Sequence, residues 1–148
     1  MTRYIMIILI GCLSTSCSNI LVKYAEKPKL VIERKLQKVG NKMNSDEIPI
    51  HFKVNECEVN IKVGEDNITI DMSKFNYEYM GLYPLYEIVL LPCLKGEDCI
   101  VIRNDSTIVK VNSYNFYSYN LNSWQSRRSL HEIIECFEAI GYQCEEPE

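Results

Sequence analysis

The apolar positions of this chain keep three different rhythms. From Tyr4 to Leu13 they run almost without interruption. Beyond Pro28, a residue suited to the first turn of a helix, Leu30, Ile32, Leu36, Val39 and Met43 recur at helical spacing and predict a helix over 29–42. Gly40 weakens that stripe. After Asn44-Ser45 the period falls to two. Cys57, Val59, Ile61 and Val63 alternate with polar residues, "GEDN" turns the chain, and Ile68, Ile70 and Met72 alternate in return. Pairing Val63 with Ile68 sets Ile61 opposite Ile70 and Val59 opposite Met72, so both apolar rows share one face of a hairpin over 57–72. Further strands are expected near 75–80, 85–93, 99–104, 106–111 and 113–119. Many short strands on short turns indicate a sandwich or barrel. The helical rhythm returns at Leu130, Ile133, Ile134, Phe137 and Ile140, with Asn122 or Ser123 placed to cap the start and Gly141 to end the helix in a left-handed conformation. The fold class is α+β, mostly β.

The first apolar run is about half the length of a membrane span. With Arg3 before it and Ser14-Thr15-Ser16 behind it, the run reads as an export signal. The cysteine that follows resembles the lipobox of bacterial lipoproteins, whose thiol takes a diacylglyceryl group. Cys12 follows Leu9-Ile10-Gly11, the closer motif, but leaves the apolar centre short. Cys17 follows Ser14-Thr15-Ser16 and gives a normal signal length, like the looser lipoboxes of Bacteroidetes lipoproteins. The anchor is assigned to Cys17, with Cys12 as the alternative position and an ordinary cleaved signal as the alternative process. The expected organisation is a signal at 1–16, a lipidated tether at 17–28, one domain at 29–144 and an acidic tail at 145–148.

Composition narrows the partners. Cleavage before Cys17 leaves 148 − 16 = 132 residues and a formal charge of 15 − 20 = −5. An acidic balance disfavours nucleic acid and attachment to anionic head groups, so membrane contact should come from the N-terminal acyl chains. In an oxidising compartment the odd set Cys57, Cys93, Cys99, Cys136 and Cys144 leaves at least one thiol outside any disulfide. A hairpin turning at Lys95-Gly96-Glu97 would set Cys93 opposite Cys99 within bridging reach. The remaining three have no evident pairing. The spacing C-x5-C with two distant histidines, His51 and His131, does not suit zinc. No metal or other cofactor is expected.

Helix, strand meander and closing helix follow the order of a pleckstrin-homology-like domain. "NECEVNIKV" with "NITIDMSKF" resembles the first hairpin of such a domain in Bacteroidetes proteins, and "YEIVLLPCLKGEDCIVI" resembles its central hairpin. "VNSYNFYSYN" and "RRSLHEIIECFEAIG" resemble its last strand and helix. The resemblance spans roughly 29–142 and implies a barrel or sandwich of about seven antiparallel strands with an N-terminal helix and a capping C-terminal helix. It departs in the last helix, which has less alanine and no basic exit. Asp105-Ser106-Thr107 resembles the O-glycan acceptor of exported Bacteroidetes proteins, with Ser106 as acceptor and a plain polar turn as the alternative.

Catalytic signatures of hydrolases, P-loop enzymes and dinucleotide enzymes are absent from the sequence. Cys57 and Cys136 read as packing thiols. The candidate binding surface is the aromatic strand and corner made by Tyr114, Tyr117, Tyr119 and Trp124, since aromatics at both parities cannot all face inward. The expectation is a non-catalytic exported lipoprotein that binds a protein or peptide, anchored to the inner or outer membrane with its domain in the periplasm or at the cell surface. A toxin-neutralising immunity protein and a divergent hydrolase or transferase are the alternatives. An exposed strand edge or aromatic patch would mark a module; a concave pocket of titratable groups would mark an enzyme.

Overall fold

The computed structural model describes residues 27–43, 48–83, 88–118 and 123–145. Cys12, Cys17, most of the tether, Tyr119, Asn122 and residues 146–148 lie outside the described residues. No helix among those described is long and apolar enough to cross a membrane.

The first helix, α1, runs Lys29–Met43 and buries Ile32, Leu36, Val39 and Met43, with Leu30 left exposed. The Pro28 carbonyl accepts from Val31 N at 2.8 Å, as expected of a residue that opens a helix. Gly40 has a positive role. A Cβ there would stand 3.0 Å from the Ile50 carbonyl oxygen and 3.2 Å from the Phe52 ring, so its absence lets α1 lie directly on the first strand.

Eight strands follow: β1 (Ile50–Asn55), β2 (Glu58–Val63), β3 (Asp66–Asp71), β4 (Gly81–Tyr83), β5 (Ile88–Pro92), β6 (Ile100–Arg103), β7 (Ile108–Val111) and β8 (Ser113–Tyr117). They form a five-stranded sheet of order β1-β2-β3-β6-β7 and a three-stranded sheet of order β4-β5-β8, all described pairings antiparallel. The sheets do not close into a barrel. Phe52 of one and Phe116 of the other meet at 5.9 Å between ring centroids, and the core fills the space between them. The last helix, α2 (Ser123–Cys144), covers it with fully buried Leu130, Ile133, Phe137 and Ile140.

The β2–β3 register differs from the expected one by two residues. Ile61 faces Ile68 and Val59 faces Ile70, around a loop of only Gly64 and Glu65. Gly64 has φ +60°, the left-handed conformation a two-residue hairpin loop requires. An even slip keeps every side chain on its face, which is why Val59, Ile61, Ile68 and Ile70 are all buried as expected.

The strand expected at 75–80 is not formed. The Asp71 carboxylate accepts from Ser73 N at 3.1 Å and from its hydroxyl, turning Met72–Lys74 into a short 3-10 helix. A second 3-10 turn spans Tyr77–Tyr79. Only Phe75 keeps a bridge, to Cys93. Gly141 is likewise not a terminus. It lies inside α2, where a Cβ would stand 2.6 Å from Tyr77 Cδ1, so it is the glycine that admits the Tyr77 ring against the helix.

The central hairpin is also corrected. β5 and β6 do not pair with each other; they lie end to end along the continuous β7–β8 segment. Pro92 faces Ser113 and Ile100 faces Val111, so one side spends 100 − 92 = 8 residue steps where the other spends 113 − 111 = 2. Residues 94–98 loop out of the line, turning at Gly96 with φ +87°. The Cys93–Cys99 disulfide, Cα–Cα 5.6 Å, closes the neck of that loop. A second disulfide, Cys57–Cys144, also with Cα–Cα 5.6 Å, ties the β1–β2 turn to the end of α2. Cys57 sits in that turn and not in the apolar row of the hairpin. Cys136 is a fully buried thiol outside both disulfides.

Candidate functional site

The β7–β8 segment forms the outer strand of both sheets. Its backbone polarity follows from two hydrogen bonds. Asn104 N donates to Thr107 O at 3.1 Å, and Cys93 N donates to Asn112 O at 2.8 Å. Antiparallel alternation then turns the N–H and C=O groups of Val109, Val111, Asn112, Tyr114 and Phe116 inward. Those of Ile108, Lys110, Ser113, Asn115 and Tyr117 point outward. Two successive inward residues, Val111 and Asn112, mark the kink at which the strand passes from one sheet to the other.

Side chains along this edge are unusually apolar for solvent. Ile108 is 70% exposed, and Val109 and Tyr117 are also exposed. Tyr114 is half-buried against the core and Phe116 is fully inside it. The opposite edge of the large sheet is treated differently. There β1 lies under α1, and the Glu33 carboxylate accepts from Val54 N at 2.7 Å. One edge lies under a helix and one of its outward donors is satisfied by a side chain; along β7–β8 no such cover exists among the described residues.

Ser106 stands at the β6–β7 turn, at one end of this edge. It is exposed, but its N–H and hydroxyl both lie on Asn104 Oδ1, at 3.2 and 3.4 Å. Thr107 N and Oγ1 reach the same oxygen at 2.9 and 2.8 Å. The turn is therefore an Asn-centred one, with Ser106 displayed at its tip.

Trp124 sits on a different element from Tyr114 and Tyr117. It is 69% exposed on the first turn of α2, where it lines an open cleft of about 400 Å³ with Lys42, Gln125, Arg128 and Ser129. Arg128 Cζ sits 5.6 Å from the Trp124 ring centroid. One turn further along α2, the largely buried Glu132 gathers three cations: Lys35 Nζ at 3.2 Å, Arg128 Nε at 3.6 Å and Lys42 Nζ at 3.9 Å. Burial pushes the Glu132 carboxyl up, but the Lys35 contact and the charges of Lys35, Lys42 and Arg128 outweigh it and hold the group below its ordinary range. Three positive charges on one carboxylate leave a local surplus of 3 − 1 = 2 on a chain whose formal charge is −4. Sequence reading missed this cluster. Its only signal was the i, i+4 spacing of Trp124, Arg128 and Glu132, since Lys35 and Lys42 come from another helix.

The histidines do not join a site. His51 is exposed, and His131 Nε2 lies 3.6 Å from Glu135 on the outside of α2. No group of three or more potential metal ligands occurs among the described residues. No family model, curated protein or solved structure matches the chain.

Proposed function

We propose that the chain is an exported lipoprotein, anchored through Cys17, whose pleckstrin-homology-like domain is a non-catalytic binding module for an extended segment of a partner protein. The observation that carries this is the β7–β8 edge, which no described residue covers. Ile108, Lys110, Ser113, Asn115 and Tyr117 offer backbone donors and acceptors at alternate positions, and Ile108, Val109 and Tyr117 offer apolar side chains beside them. An incoming strand would gain main-chain hydrogen bonds from the first set and specificity from the second. A toxin-neutralising immunity protein would use the same surface, with the toxin as partner. The signal-length apolar run before Cys17 supports export, and the two disulfides favour an oxidising compartment.

Lys110→Pro tests the edge. It removes one outward N–H and obstructs an added strand, while leaving the inward bonds of Val109 and Val111 in place. Pull-down from detergent-solubilised envelopes should recover a partner with the wild type and lose at least about tenfold of it with Lys110→Pro, at an unchanged circular-dichroism spectrum. Equal recovery by the variant contradicts strand addition.

A further inference from the structure

We infer that the cleft between α1 and α2 is a second, separate binding site, for a peptide that presents a carboxylate beside an apolar side chain. Three features point there together. Arg128 engages Glu132 through Nε at 3.6 Å, is otherwise largely exposed and lines the cleft. Lys42 stands 3.9 Å from an oxygen that Lys35 already holds at 3.2 Å, and its side chain also lines the cleft. Trp124 adds an exposed aromatic surface whose position is held by the adjacent guanidinium.

Glu132 neutralises only part of this charge. An arriving carboxylate would offset half of the remaining surplus, meeting Arg128 in the planar geometry a guanidinium favours and Lys42 as a second cation. A neighbouring apolar side chain would cover Trp124. Charge complementarity also favours this place, because the chain outside the cluster carries a net negative charge. A peptide fits better than an acidic sugar. Sugar hydroxyls call for several neutral donors and acceptors, whereas among the described residues Gln125 and Ser129 are the neutral polar ones lining the cleft, and Arg128 lies against the Trp124 ring.

Trp124 is the single tryptophan of the chain, so its fluorescence reports on this cleft alone. The experiment titrates the full-length protein in detergent with a short peptide alternating Glu and Leu. Its Gln–Leu counterpart and oligogalacturonate serve as comparison ligands. The Glu–Leu peptide should shift the emission saturably and bind more weakly as salt rises. Arg128→Gln and Lys42→Gln should each weaken it at least about tenfold, with an unchanged circular-dichroism spectrum showing that the fold is retained. Lys110→Pro should bind it as the wild type does, which keeps the fate of this site distinct from that of the strand edge. The inference is overturned by an absent shift, by a shift that survives both cleft substitutions, by equal binding of the Gln–Leu peptide, or by tighter binding of oligogalacturonate.

Discussion

Glu132 is held by three cations from two helices, and that makes its charge a structural element. Its carboxyl titrates below its ordinary range when folded, because Lys35, Lys42 and Arg128 outweigh the cost of burial. A depressed folded value means that the stabilisation is complete above the unfolded value, near 4.5, and is lost as pH falls through the folded one. Glu132→Gln should therefore cost about 1–2 kcal/mol at neutral pH. The gap to wild type should close as the solution is acidified below about pH 4.5. Urea unfolding at several pH values checks this, and a gap that is constant with pH contradicts it. Glu138 carries the opposite sign: burial pushes its carboxyl up, opposed by His131 and aided by Glu135. Individual residues were unevenly legible in the sequence. The apolar stripe of α2 is buried as its spacing implied, since a helix facing a core needs little beyond periodicity. Gly40 and Gly141 were read as a weakness and a terminus, yet each is a place where another element comes too close for a Cβ. A close approach belongs to tertiary packing, and local pattern carries no trace of it.

Among the elements, the two disulfides do different work. Cys93–Cys99 closes a loop of seven residues counting both cysteines, whereas Cys57–Cys144 spans a sequence separation of 87. The chain-entropy relation gives about 2.4 kcal/mol for the first and about 4.6 kcal/mol for the second. Replacing Cys57 and Cys144 by Ser should therefore cost about 2 kcal/mol more than replacing Cys93 and Cys99. Within each pair, single and double replacements should lose similar stability, because the bond breaks only once. Thermal melts of the variants, with and without reductant, decide the order; equal losses for the two pairs would count against it. The spacing of Cys93 and Cys99 was readable because a short turn brings near neighbours together in many geometries. Their setting was not readable. A strand that loops out and resumes along the same partner looks, in sequence, like two strands of a hairpin. Cys57 and Cys144 come from the two ends of the domain, so only the complete fold brings them together. The strand expected at 75–80 is replaced by local turns: the Asp71 side chain caps a 3-10 turn at Met72–Lys74, and a second, at Tyr77–Tyr79, takes up the stretch itself.

For the whole molecule, the proposed attachment and the proposed recognition are tested separately. Cys17→Ala should move the protein into the soluble fraction and abolish labelling by an alkynyl fatty acid. Label that persists in Cys17→Ala and is lost in Cys12→Ala would place the anchor at Cys12. The proposed recognition rests on an asymmetry between the two edges of the large sheet: α1 covers β1, while β7 continues into β8 as an uncovered strand among the described residues. The sequence held only part of this. Exposed Ile108 and Val109 follow from a run without clear alternation, "TIVKV", but the edge position of that run depends on the strand order. Amide hydrogen exchange of the partner-bound protein, compared with the free protein, reads the edge directly. Strand addition predicts new protection at alternating outward amides, those of Ile108, Lys110, Ser113, Asn115 and Tyr117, with little change at the inward Val109 and Val111. Unchanged exchange at the outward amides in the complex would contradict it.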